Sequence, residues 1–173
     1  MGYVGLVLML WNVILGAKPL SRLISKDYVR LNKIHRALRK YGIFFVLSHP
    51  LIQMYSYLEN FYWIITPLIG NELELHISFG RLALLIYLII WITSVLLKSR
   101  IRYRPWLYIH YLTYPLVFLV FLHLRDIGYY WDNLPSLNIF ITILFGLYII
   151  FLGYMFLYLA GFSKKFIHLK IFK

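Results

Sequence analysis

Five apolar runs, at about 2 to 17, 41 to 58, 77 to 97, 105 to 124 and 137 to 161, dominate this chain of 173 residues. A helix needs about 20 apolar residues to cross the hydrocarbon core of a bilayer, so every run except the short first one is long enough to span. Inside a bilayer each backbone N–H and C=O must be satisfied internally, which leaves helices and closed barrels. Runs that are continuous rather than alternating select helices. The expected fold is therefore all-α: a polytopic transmembrane helix bundle of about five spans, forming one domain over residues 1–173. The composition agrees, with 62% hydrophobic, 20% aromatic and 14% charged residues and a mean hydropathy of +0.74.

The net charge of +12 would suggest a nucleic-acid partner in a soluble protein, but here it is distributed by connection. Sixteen of the 18 basic residues lie in the first connection (Lys18 to Lys40), the third (Lys98 to Arg104) and the tail (Lys164 to Lys173). Five of the six acids, Glu59, Glu72, Glu74, Asp126 and Asp132, lie in the other two connections. The positive-inside rule then puts the N-terminus outside and the C-terminus in the cytoplasm of a multi-pass cell-membrane protein. Membrane lipid is the expected surrounding, and nucleic acid is not a partner. The first run lacks a basic n-region and a small-x-small cleavage site, so it reads as an uncleaved helix. The histidines discussed next lie outside it and read as independent of it.

Histidine is costly in a membrane unless something holds it. The second and fourth helices carry two each: His35 and His49, 14 residues apart in "HRALRKYGIFFVLSH", and His110 and His123, 13 apart in "HYLTYPLVFLVFLH". At about 1.5 Å per residue both spacings rise roughly 20 Å. The two helices run in the same direction, so His35 can face His110 near the inner surface while His49 faces His123 further out. Neutral imidazole is a good axial haem ligand, and a planar macrocycle needs one from each side. The absence of cysteine excludes disulfides, iron–sulfur clusters and thiolate ligation. The pattern thus predicts two stacked b-type haems between the second and fourth helices. His76 and His168 read as polar contacts without a cofactor.

Two features strain this pairing. At about 100° per residue, 13 positions leave His123 roughly 140° around the helix from His110, so the fourth helix must bend or rewind. Pro115, which cannot donate to the carbonyl of Tyr111, is the expected kink, and Pro50 is a second. The depths also match only if the second helix extends back to about Lys33. Arg36, Arg39 and Lys40 would then stand at the membrane boundary, where they either meet propionates of the inner haem or serve as positive-inside anchors. Arg81, at the outer start of the third helix, reads as a partner of an outer propionate, as a site for an anionic acceptor, or as an interfacial snorkelling arginine.

The segments "GLVLMLWNVILGAKPLSRL", "IHRALRKYGIFFVLSHP", "FGRLALLIYLIIWITSVL" and "YRPWLYIHYLTYPLVFLVFLH", with the two histidine spacings, resemble the ferric reductase-like transmembrane domain. That family includes NADPH oxidases, ferric reductases and the haem-binding membrane subunit of periplasmic methionine sulfoxide reductase. The resemblance implies two haems, one per leaflet, on His35 and His110 within and on His49 and His123 without. Many members have six helices, so an initial helix is expected to be missing here. Many also continue into a flavin and nicotinamide domain, whereas this chain has no GxGxxG loop or other nucleotide fingerprint. Arg39 stands where members often have a small residue.

The function expected is that of a di-haem b-type cytochrome, the membrane electron-transfer component of an oxidoreductase, carrying electrons from a cytoplasmic donor to an external acceptor. The donor would be a separate flavoprotein reductase or quinol. One alternative is a quinol-oxidising cytochrome b anchor subunit. Another is a haem-free transport or assembly protein whose histidines bind metal or relay protons.

Overall fold

The computed structural model describes residues 2–18, 21, 24–56, 66, 69–126 and 135–159, and these are helical apart from short connections. The helices are α1 (Gly2–Gly16), α2 (Tyr28–Ser56), α3 (Glu72–Trp91), α4 (Tyr103–Tyr111), α5 (Thr113–Asp126) and α6 (Pro135–Leu159). A single π-helical turn, Ile92–Leu96, extends α3. Arg22, Glu59, Asp132, His168 and the basic tail lie outside the described residues.

The expected element pattern is present, with differences at the ends. Glu72–Leu96, Tyr103–Leu124 and Pro135–Tyr158 are long and apolar enough to cross a membrane, while Gly2–Gly16 is apolar but shorter. Helix α2 has 29 residues and reaches back past Lys33 to Tyr28, as the depth argument requires. Its start is set by Asp27, whose carboxylate accepts the Arg30 N–H at 2.9 Å, while Ser25 Oγ accepts the Asp27 N–H at 3.1 Å. Asn71 caps α3 by accepting the Glu74 N–H at 2.8 Å, and the Glu74 carboxylate accepts the Gly70 N–H at 2.9 Å.

The fourth span is interrupted where the proline argument expects it. α4 ends at Tyr111, and α5 begins at Thr113 after a turn at Leu112 whose N–H donates to Ile109 at 3.1 Å. Pro115 has no N–H for the Tyr111 carbonyl, so the ladder is released one turn before it. Pro50, by contrast, leaves α2 continuous.

The chain divides into two units, Met1–Ile127 and Gly128–Lys173. The second contains α6, a helix apolar along its whole length, as a lipid-immersed segment requires. In the first unit α1 lies against α2, and α3 against α5. Both pairs are antiparallel, since Gly2 meets His49 and Gly16 meets His35, while Gly80 meets His123 and Ser94 meets His110. A small core of Ala83, Ile90 and Leu116, with Met9, Ile86, Tyr87 and Ile109 packed around it, joins α1, α3, α4 and α5. Many large apolar side chains face outward, Phe44 and Tyr108 among them, as expected where the solvent is lipid.

Candidate functional site

Helices α2 and α4–α5 do not share the side-by-side packing of α1 with α2 or of α3 with α5. They meet instead through imidazoles. The His35 and His110 rings have centroids 6.2 Å apart at an interplanar angle of 86°, and His49 and His123 are 6.3 Å apart at 66°. The structure therefore brings together all four histidines singled out by spacing, in the pairing their depths suggest. The turn at Leu112 supplies the rewinding that 13 residues require.

Three of the four rings have an Nδ1 partner on the adjoining antiparallel helix. His35 Nδ1–H donates to the Asn12 carbonyl of α1 at 2.9 Å. His123 Nδ1–H donates to the His76 carbonyl of α3 at 2.9 Å, and His76 Nδ1–H donates to the Leu122 carbonyl at 2.7 Å. A carbonyl can only accept, so these contacts fix the proton on Nδ1, and the neutral His35 and His123 rings keep their lone pair on Nε2. His110 is held differently: its Nδ1 lies 3.4 Å from Ser94 Oγ, and Trp106 stacks on its face at 4.8 Å and 19°.

The rings fit because glycines stand opposite them. A Cβ on Gly80 would come within 2.5 Å of His123 Nδ1, and one on Gly16 within 2.9 Å of His35 Cε1. A Cβ on Gly2 would meet the His49 ring at an ordinary 3.5 Å. Spacing alone overlooked these residues, although a signal was present. Gly2 and Gly16 are 14 apart, as are Gly80 and Ser94, so small residues in the neighbouring helices repeat with nearly the period of the histidines. The first helix is also a wall of the site through Asn12, Gly2 and Gly16, which corrects the expectation that the histidines are independent of it. His76, read only as a helix contact, supplies the carbonyl that orients His123.

The cations divide into distinct roles. Arg39 lies one turn beyond His35, and its buried Nε has no hydrogen-bond partner among the described residues. Arg39 and Lys98 are both close enough to His35 and His110 to act on them electrostatically. Arg36 is exposed, with Nε 3.4 Å from the Asn32 carbonyl of its own helix. Arg81 adjoins Gly80 in sequence and donates through Nη1 to the Thr66 carbonyl at 2.7 Å. Among the described residues no three His, Asp or Glu side chains gather in a group that could hold a metal ion.

The fold and site define a multi-pass membrane helix bundle whose two parallel helices face each other through two levels of paired imidazoles. The chain belongs to the family of the ferric reductase like transmembrane component, whose model matches residues 1–121. The family is one of transmembrane electron-transfer domains that generally bind haem and work with redox partners. The matched stretch takes in His35, His49 and His110 and stops two residues before His123. No curated protein and no solved structure matches the chain.

The glycine contacts generate a prediction of sign. Gly to Ala inside a helix ordinarily stabilises by about 0.5–1 kcal/mol. At Gly146, where a Cβ meets nothing within 4 Å, Gly146→Ala should leave the thermal midpoint in detergent unchanged or raised. Gly80→Ala should lower it by the equivalent of about 1–3 kcal/mol, because the new methyl must displace the His123 ring.

Proposed function

We propose that this chain is a di-haem b-type membrane cytochrome, with one haem held by His35 and His110 and a second by His49 and His123. On this reading it moves electrons from a cytoplasmic-side donor across the cell membrane to an external acceptor. The observation that carries the reading is the ring separation. With metal–imidazole bonds of about 2 Å and a ring centroid about 1.1 Å behind each nitrogen, two imidazoles holding one metal from opposite sides would sit about 6.2 Å apart between centroids. The two pairs stand at 6.2 and 6.3 Å.

Three further features support it. The Nδ1–H bonds of His35 and His123 leave Nε2 as the ligating atom and keep each ring from turning, the usual arrangement behind a metal-bound imidazole. Two protein ligands per centre suffice when a macrocycle supplies the rest. A haem-free metal transporter needs larger ligand groups than those found among the described residues. With no cysteine in the chain, attachment is non-covalent and the haem is of b type.

Bound at such a site, haem supplies one-electron ferric/ferrous chemistry. The chain's residues hold and insulate it. The imidazole pairs set two levels about 20 Å apart along the helices. Arg39, whose buried Nε has no partner among the described residues, would meet an inner propionate, and Lys98 would add a second cation beside the same histidines. Arg36, exposed and bonded to its own helix, would act as an anchor at the inner boundary, and Arg81, next to Gly80 in sequence, would supply N–H donors near the outer centre. The donor is a separate flavoprotein reductase or quinol. The exposed Lys98, Arg100, Arg102 and Arg104 suit an acidic protein.

Purified protein should contain about two low-spin b-type haems per chain, extracted by acid solvent, as read from reduced-minus-oxidised spectra and pyridine haemochrome. A well-folded, haem-free preparation contradicts the proposal and favours the transport or assembly reading. The direction of transfer is tested separately: a C-terminal reporter should be cytoplasmic, and a tag after Glu72 should react with an impermeant reagent from outside. The opposite result reverses the flow.

A further inference from the structure

Among the four histidines of the two facing pairs, three have described Nδ1 partners: His35 and His123 use backbone carbonyls at 2.9 Å, and His110 uses a side chain. Ser94 lies in the π-helical turn Ile92–Leu96 that ends the third span, and it is 1% exposed. A π turn inserts an extra residue into a helix and so re-aims the side chains that follow. The Ser94 hydroxyl stands between two ring nitrogens: Trp106 Nε1–H donates to Oγ at 3.3 Å, and His110 Nδ1 lies 3.4 Å from the same atom. An indole N–H can only donate, so Trp106 takes up one of the two acceptor sites of Ser94. Trp106 itself is fixed by stacking on His110 and by Lys98 Nζ, 4.9 Å from its ring centroid.

Resting on the reading of His35 and His110 as axial ligands, we propose that Ser94 and Trp106 together set the reduction potential of that centre by limiting how strongly His110 can hydrogen-bond. A ligating imidazole that donates its second N–H to a good acceptor becomes more basic, which favours the ferric state and lowers the potential. Carbonyls at 2.9 Å give His35 and His123 that support. His110 has only a shared hydroxyl at 3.4 Å, longer than an ordinary N–H···O bond of about 2.9–3.0 Å. Its centre is thereby held at a higher potential than a carbonyl in the place of Ser94 would give, and it accepts electrons more readily on the side where the cytoplasmic donor acts. Ser94 and Trp106 are positioning residues, touching the ligand rather than the iron.

The two residues act with opposite sign. Ser94→Ala removes the acceptor and should raise the midpoint potential. Trp106→Phe retains an aromatic ring against His110 but releases the second acceptor site of Ser94, and should lower it. Ser94→Thr keeps the hydroxyl and should stay near wild type. The measurement is a spectroscopic redox titration in a His49→Ala background, which retains only the centre in question. The expected shifts are about threefold to tenfold in the reduced-to-oxidised ratio at fixed poise, tenfold being about 59 mV for a one-electron couple. In a His35→Ala background, which retains only the other centre, neither substitution should move the potential. Shifts of the same sign for Ser94→Ala and Trp106→Phe, an unmoved centre, or equal shifts in both backgrounds overturn the proposal while leaving the haem reading intact. If Ser94→Ala loses its haem, Trp106→Phe decides: a lowered potential supports the proposal and an unchanged one overturns it. Wild-type protein without haem overturns both.

Discussion

Four imidazoles placed in a lipid-facing bundle are the constraint on which the rest of this structure depends. A polar ring at that depth is costly unless its nitrogens are satisfied. Each of the two facing helices carries two such rings, at two heights about 20 Å apart. The spacing recurs in the helices behind. Gly2 and Gly16 stand behind His49 and His35, and Gly80 and Ser94 behind His123 and His110. Each supporting helix is antiparallel to the one it backs, so equal rise in the two keeps both levels in register. The bundle is thus organised as two helix pairs, α1 with α2 and α3 with α4–α5, that face each other through histidine rings.

Much of this was legible in the sequence because the relevant signals are long-range and physically simple. Apolar run lengths gave the helices. The 14 and 13 spacings gave the four histidines and their partners. Pro115 was also readable: a missing N–H must release the Tyr111 carbonyl, and the chain turns at Leu112. Less legible were the contacts that depend on which helix packs behind which. The backbone carbonyls of Asn12 and His76 carry no side-chain signature, so nothing in their residue types announced them as acceptors for His35 and His123. Ser94 looked like an ordinary small residue in an apolar run. Its position follows from a local π turn, which apolar periodicity does not reveal. The glycines were a recoverable signal, since their 14-residue repeat is visible once the histidine period is known.

The charged residues teach a related lesson. Arg36 and Arg39 differ by three positions and looked equivalent as boundary cations. The fold separates them, leaving Arg36 exposed on its own helix and burying Arg39 Nε, without a partner among the described residues, beside His35 and His110. Lys98 joins that group from the connection after α3, although neither charge count nor spacing distinguished it from Arg100 or Arg102. A topology rule sets how many cations face the cytoplasm. Packing decides which of them a buried carboxylate could reach.

The central claim is that histidines are paired across the two facing helices, one haem to a pair. Haem content of detergent-purified, monodisperse histidine variants tests it most directly. The account predicts that His49→Ala, His123→Ala and the double variant each lose about one haem per chain, because both ligands serve one centre and their effects do not add. His35→Ala combined with His49→Ala should lose both. If the His49→Ala/His123→Ala double variant lost two haems where each single variant lost one, or if His35→Ala with His49→Ala lost only one, the cross-helix pairing would be contradicted.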